Sequence, residues 1–385
     1  MIKLSEPFFF GKELAYLKKV LKDKWISPNG NIVKKFEKKI QKYTTGKYNL
    51  GTVNCTAAIQ LAIRLLNPKN NEEIIVPSIT FAATINAVLY NNCKPIFLDC
   101  DNYLLLDKKK FYSFIKKNTY FKNNFTYNKK TKKKIIGIIF VNTFGNLFNI
   151  DNFFHSFCKK YNIKIIEDAA ESLGSVHFDK KRNNKIQYSC YSFNGNKLIT
   201  AGGGGMLSTK IKKKYLEAAY LATQAKKDSI QFIHDDIGYN FLISNLHASI
   251  GLSQLIFINN VLKKKKEINK IYKKEINKID GLDILESPKD CLSNNWLNIL
   301  VVDKKKYFLS KDQIIKKFSN FNIETRSLWY PNHLQKPFKK FQNYEIKKSN
   351  LMFKTCLCLP SSYGLKKSDQ TKIIKLLQNK FNYSK

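Results

Sequence analysis

Lys197 is the only charged residue between Ile186 and Thr209, in the stretch IQYSCYSFNGNKLITAGGGGMLST. A quarter of the whole chain is charged, so roughly six charges would be average for a window of this length. An ammonium set among Ser, Asn, Gly and aromatic residues is placed rather than solvated. Desolvation favours the neutral amine, the form that attacks a carbonyl to make a Schiff base. Lys197 is therefore the candidate nucleophile. Its surroundings mark it out and its type does not, because the 68 basic residues include only three arginines and leave 65 lysines. Twenty-nine residues upstream, the run Ile163-Lys-Ile-Ile-Glu-Asp-Ala-Ala-Glu-Ser172 reads as a short buried parallel strand whose carboxyl end delivers Asp168. In open α/β sheets that edge is where ligands sit.

A carboxylate at such an edge can pair with a protonated ring nitrogen, and a nearby lysine can hold an aldehyde. Those are the two protein groups that pyridoxal 5′-phosphate (PLP) requires. The elements around them must bring both to one place. Val53-Asn-Cys-Thr-Ala-Ala58 reads as a strand end running into a helix that Asn54 or Thr56 can cap, leaving first-turn amides for an anion. Trp25-Ile-Ser-Pro-Asn-Gly30, followed by Val33, Phe36 and Ile40, reads as a turn and an amphipathic helix. Glu73 to Thr84 reads as a strand broken at Pro77 and a loop presenting Phe81. Strand-like runs follow at Pro95 to Asp99 and Ile135 to Val141. This alternation through Ser208 predicts an α/β fold with a mainly parallel, doubly wound sheet. The Lys-rich stretch from Lys263 predicts a helix with one solvated face, leading into a second domain with a strand at Trp296 to Val302 and a helix at Lys311 to Phe318. The expected division is a large domain over 1–255 and a smaller C-terminal α+β domain over 256–385.

The segments EDAAESLGS and SFNGNKLITAGGGGM resemble the DegT/DnrJ/EryC1/StrS family of PLP-dependent sugar aminotransferases, with further matches from Trp25 to Ser362. The resemblance implies the PLP-dependent transferase fold of type I and an amino transfer from an amino acid, L-glutamate, to a nucleotide-linked 4-keto sugar. It implies catalytic roles for Lys197 and Asp168. Thr56, Ala57, Ser192 and Asn194 would line the cofactor site, with Phe81 against the ring and Asn240, from a G-Y-N segment, reaching the cofactor of a second copy in a homodimer. Glu171 stands beside the ring where many relatives have Gln or His. Ser27, Gly30, Arg326 and His333 would touch substrate. Leu242 stands where the family usually has Arg, and Lys181-Arg-Asn-Asn-Lys185 replaces the usual small residues of a loop. Within the family, E-S-L-G-S with the four-glycine run resembles the branch acting on UDP-4-keto-6-deoxy-N-acetylhexosamines. A GDP-4-keto-6-deoxymannose acceptor is the alternative. A basic protein that keeps the fold and only binds is the alternative of another class, against which the retained Lys197 argues.

Composition bounds these readings. At 385 residues and 43% hydrophobic content, the chain can bury a large core. The formal charge of +39 suggests nucleic acid. However, base readout leans on arginine, and only Arg64, Arg182 and Arg326 are present, while the lysines are scattered in short runs; no nucleic-acid partner is expected. Eight cysteines without C-x-x-C and five unpaired histidines predict neither a metal nor a disulfide framework. Charges appear too early at the N-terminus for a secretory signal. The uncharged run Ile74 to Cys93 is long enough to span a bilayer but carries Pro77 and several Asn and Thr, which fit a strand, a loop and a buried helix instead. The expected place of action is the cytoplasm.

Overall fold

The computed structural model describes residues 1–228 and 230–379. Its main sheet has ten strands. Seven of them form the body: β1 (Tyr48–Thr52), β2 (Glu73–Pro77), β3 (Lys94–Leu98), β4 (Lys134–Val141), β5 (Lys164–Asp168), β6 (Tyr188–Ser192) and β7 (Gly205–Thr209). They lie in the order β1-β7-β6-β5-β4-β2-β3. From β6 to β3 every pairing is parallel, and β7 alone runs against both neighbours. The sheet is thus mainly parallel, as the alternation of strand and helix predicts, with the antiparallel β7 returning directly from the Lys197 loop. Ile74, Ile75, Ile138, Ile139 and Ile166 are fully buried, because a strand covered on both faces has no side to spare for polar residues.

Register places the site. Asp168, the last residue of β5, pairs with Val141 and Cys190, so its side chain emerges at the carboxyl edge of the central strands. Ile74 to Cys93 resolves into β2 and a helix over Ala82–Tyr90, and among the described residues no helix is long and apolar enough to cross a membrane.

Four antiparallel strands make the second sheet: β8 (Leu282–Ile284), β9 (Asn298–Val302), β10 (Arg326–Ser327) and β11 (Cys356–Leu359), ordered β8-β9-β11-β10. The strand expected from Trp296 begins at Asn298; Trp296 and Leu297 precede it as buried loop. The helix expected from Lys311 runs to Asn320, opened by a capping box in which Ser310 and Gln313 satisfy each other's backbone amides. The first residues of the chain join this second body: Ile2 bridges Ile323, and the Leu4 carbonyl accepts from the Ser361 amide.

The Lys-rich helix spans Ile258–Ile276 and has the solvated face expected of it. Its buried stripe is Val261, Lys265, Ile268, Tyr272 and Ile276, so Lys265, unlike the other lysines of this helix, occupies a core position, 3% exposed.

Candidate active site

A cavity of about 500 Å³ opens at the carboxyl edge of the main sheet, against the second body. Lys197, Asp168, Glu171, Thr56, Phe81, Ser192, Asn194 and Arg326 all line it, from segments far apart in sequence. A larger cleft of about 890 Å³, between Asp99 and Lys110 on one side and Lys347 to Leu351 on the other, holds none of these residues.

The glycine run explains how the Lys197 loop reaches the cavity. Gly202 and Gly204 adopt φ of +77° and +100°, and a side chain on Gly205 would lie 2.5 Å from the Asn54 and Cys55 backbone. The turn therefore needs glycine both for its left-handed dihedrals and for passage beneath the helix Cys55–Arg64 (α1). That helix is capped by Asn54, whose Oδ1 accepts from the Ala57 amide at 2.8 Å. This corrects the expectation for Ala57. Its amide is consumed by the cap and it does not line the cavity, leaving the Thr56 hydroxyl and the preceding amides for an anion.

Lys197 is isolated in sequence but not in space. Its Nζ lies 3.3 Å from Glu171 Oε1 and 3.9 Å from the centre of the Trp296 ring. The other Glu171 oxygen accepts from the Phe144 amide at 2.8 Å. Phe144 itself has φ of +55°, a left-handed conformation that a bulky residue adopts only under constraint from its surroundings. Asp168 accepts from the Thr84 hydroxyl at 2.6 Å and from the Ala170 amide at 3.1 Å. Burial raises both carboxyls above their ordinary range; the Thr84 and Ala170 bonds oppose this at Asp168, and Lys197 opposes it at Glu171.

The remaining candidates separate. Phe81 caps the helix Ala82–Tyr90 and is 62% exposed, an aromatic face left open to the cavity. Arg326 pairs with Glu324 at 2.8 Å and is otherwise exposed. Ser27, Gly30, Asn240 and His333 do not line the cavity. Gly30 is a packing residue: a side chain there would lie 1.6 Å from Asn245 Nδ2, the amide that holds the Trp25 carbonyl. His333 is buried with Nδ1 at 2.6 Å from Ser78 Oγ, a bond that ties it to the loop ahead of Phe81, and burial lowers its pKa. Asn240 is exposed away from the cavity of its own chain. In the atypical loop, Arg182 turns inward, 1% exposed, donating to Glu167 at 2.6 Å and to the Phe148 carbonyl at 2.7 Å. It contacts the layer behind Asp168 and not the cavity.

Several lining residues escaped the sequence reading. Thr84 carries a signal, standing one turn after Phe81 on the same helix. Trp296, Trp329, Phe144 and Ser5 carry none, because they come from loops that only folding brings near.

The residues present fit PLP. A buried carboxylate raised by desolvation is matched by a protonated ring nitrogen, a capped helix start offers amides to a phosphate, a lysine faces an aldehyde, and an open aromatic face lies beside them. Comparison with known proteins agrees. Residues 10–378 match the model of the DegT/DnrJ/EryC1/StrS aminotransferase family. EpsN of Bacillus subtilis (strain 168), named as a pyridoxal phosphate-dependent aminotransferase, is 32% identical, covering 99% of this chain and 96% of its own. The GDP-perosamine synthase of Escherichia coli O157:H7 is 31% identical over 90% of this chain and 89% of its own. PseC of Helicobacter pylori, an aminotransferase involved in pseudoaminic acid biosynthesis, superposes with a TM-score of 0.87 at 21% identity over 98% of both chains, which shows the shared fold. The chain belongs to the DegT/DnrJ/EryC1/StrS aminotransferase family and is a PLP-dependent sugar aminotransferase.

Proposed function

We propose that the protein moves an amino group from L-glutamate to the C4 ketone of a UDP-4-keto-6-deoxy-N-acetylhexosamine, for surface-glycan synthesis. The observation that carries the chemistry is the convergence of Lys197 and Asp168 in one cavity from the ends of β5 and the β6–β7 loop. PLP, when bound, supplies a carbonyl carbon for amines and a ring that accepts the electron pair of the donor's Cα–H bond. Lys197 Nζ would hold that carbonyl carbon in the resting, cofactor-loaded protein. Released by the incoming amine, the same nitrogen would take the proton from the donor Cα and deliver it to that carbonyl carbon, and in the second half of the cycle it would carry a proton from that carbon to C4 of the sugar. Asp168 keeps a proton on the ring nitrogen. Thr56, Ser192, Asn194 and the free amides at the start of α1 hold the phosphate, and Phe81 packs against the ring. Asn240 completes the site of a second copy. In the cofactor-free chain Glu171 pairs with the Lys197 ammonium at 3.3 Å, which gives the second carboxylate a partner there.

The large part is assigned to 1–255 and the small part to 256–385, with the cavity between them. All eight cysteines are buried and free, which suits a reducing compartment, and we place the protein in the cytoplasm.

The UDP-sugar assignment rests on E-S-L-G-S and the four glycines. The similarity to a GDP-perosamine synthase favours the second reading, a GDP-4-keto-6-deoxymannose acceptor. A buried polar group left unpaired by the wrong substrate costs about 1–3 kcal/mol, so kcat/KM for the UDP-N-acetyl ketosugar should exceed that for the GDP sugar by about tenfold or more. Equal values or the reverse order select the GDP sugar and leave the amino transfer intact. Borohydride treatment of the PLP-loaded protein should fix the cofactor on Lys197; fixation on another lysine would refute the assignment of the nucleophile.

A further inference from the structure

Trp296 touches the lysine arm at two points. Its ring lies 3.9 Å from Lys197 Nζ, and its Nε1–H donates to the carbonyl of the adjacent Asn196 at 2.7 Å. The indole is itself held by stacking: Phe144 lies nearly parallel at 6.0 Å and 11°, and Trp329 continues the stack from Phe144 at 4.7 Å and 8°. The Trp296 backbone is pinned at both ends. Its amide donates to Asn294 Oδ1 at 2.9 Å, while Asn294 Nδ2 donates to the Glu171 and Leu173 carbonyls. Its carbonyl accepts from Lys265 Nζ at 2.9 Å, and the same ammonium donates to the Ser361 carbonyl.

Lys265 is costly where it stands. It is 3% exposed, no carboxylate pairs with it among the described residues, and burial pushes its pKa down to about 7. An apolar side chain would fill this core slot of the helix Ile258–Ile276 without that penalty. Only the N–H groups of Lys265 distinguish it from such a residue, and they go to the loop that carries Trp296 and to the loop that follows β11.

We propose that Trp296 is a positioning residue for Lys197, and that Lys265 acts through Trp296 by fixing its backbone. The proposal rests on the aminotransferase reading. In that cycle the Lys197 amine is set free in each half-reaction and must return to the same place. The indole face attracts an ammonium and limits where it swings, while the Nε1–H bond fixes the backbone from which the arm extends. A small misplacement of a reacting amine costs up to about 10²-fold in rate.

The test compares Trp296→Leu, Trp296→Phe, Lys265→Met and Lys265→Arg in the PLP-loaded protein. The single-turnover rate constant with L-glutamate should fall by about tenfold or more in Trp296→Leu and Lys265→Met, with donor KM changed less than about twofold. Trp296→Phe, which keeps a ring face, and Lys265→Arg, which keeps donors for both carbonyls, should recover most of the rate. The second readout needs no cofactor: cyanate labelling of Lys197 in the apo protein, read by peptide mass, should speed up several-fold in Trp296→Leu because the covering ring is gone. Unchanged labelling, or a turnover rate within about twofold of wild type in Trp296→Leu, overturns the proposal. Should Trp296→Leu not fold, the Lys265 pair decides, since equal losses in Met and Arg would contradict a role exerted through these hydrogen bonds. A wild-type protein that binds PLP but gives no reaction with any amino donor refutes the aminotransferase reading; the labelling result then stands on its own.

Discussion

Asp168 is held as a buried carboxylate by one hydroxyl and one amide, and burial works against its charge. Such a group suits a cationic partner, and losing a preorganised electrostatic group of this kind typically costs on the order of 10²-fold in kcat. Asp168→Asn should therefore slow turnover by about that factor while the visible absorbance of bound PLP persists, since the phosphate cradle and Lys197 remain. Near-normal turnover would show that the ring nitrogen does not depend on this carboxylate. Lys265 gives a prediction in pH. An unfolded lysine titrates near about 10.4, and Lys265 in the folded protein does so at about 7. Between those values the unfolded chain binds the extra proton, so this residue's contribution to stability is full above the unfolded pKa and is lost as pH falls through about 7. Urea unfolding of wild type and Lys265→Met at pH about 6 and about 9, roughly one unit below and two above the folded pKa, should show wild type gaining on the variant at the higher pH. A pH-independent difference would mean that Lys265 is not buried as an unpaired amine.

Among the elements, the atypical segment over 180–185 is anchored inward through Arg182. Arg182 pairs with Glu167, each side chain 1% exposed, and Glu167 also accepts from Asn142 and Ser189. This network fastens the loop to β5 and β6 directly behind Asp168. Removing one partner of a buried ion pair typically costs about 3–5 kcal/mol, because the other charge is left uncompensated. Arg182→Met should accordingly lower the unfolding free energy by about that amount, measured by denaturant titration, while KM for the sugar nucleotide stays near wild type. A large rise in KM with stability unchanged would return the loop to the substrate.

The whole molecule leaves an apolar strip outside its cores. Ile230 is 87% exposed, Ile237 82% and Phe232 64%, in the segment that ends at the outward-facing Asn240. Isolated exposed apolar residues need no explanation, but several on one short segment suit the second copy proposed to meet Asn240. Obligate interfaces bury roughly 2,000 Å² or more. Light scattering should give the mass of two chains of 44.8 kDa each, and Phe232→Glu with Ile237→Glu should yield monomers without turnover. An active monomer would refute sites shared between copies. The charge of +39 acts at this scale as well: it attracts any sugar nucleotide through its two phosphates and cannot choose the base or the ring.

How far the sequence reached follows from the range of the forces involved. Strand and helix order, the Asn54 cap, the glycine turn and the placing of Asp168 at a strand end were legible because each depends on residues within a few positions of one another. The β-branched runs read as buried strands from their own composition. The electrostatic setting of Lys197 was not legible, since the charge that neutralises it sits 26 residues away and the ring that covers it about a hundred. Nor were the partners of the buried Lys265, nor the hydrogen bonds that His333 and Ala57 make and the close packing at Gly30, all of which involve other segments or the folded turn. Local chemistry specified the elements and singled out Lys197 and Asp168; which groups surround those two was decided by contacts between segments remote in sequence, where packing and hydrogen-bond satisfaction outweigh local pattern.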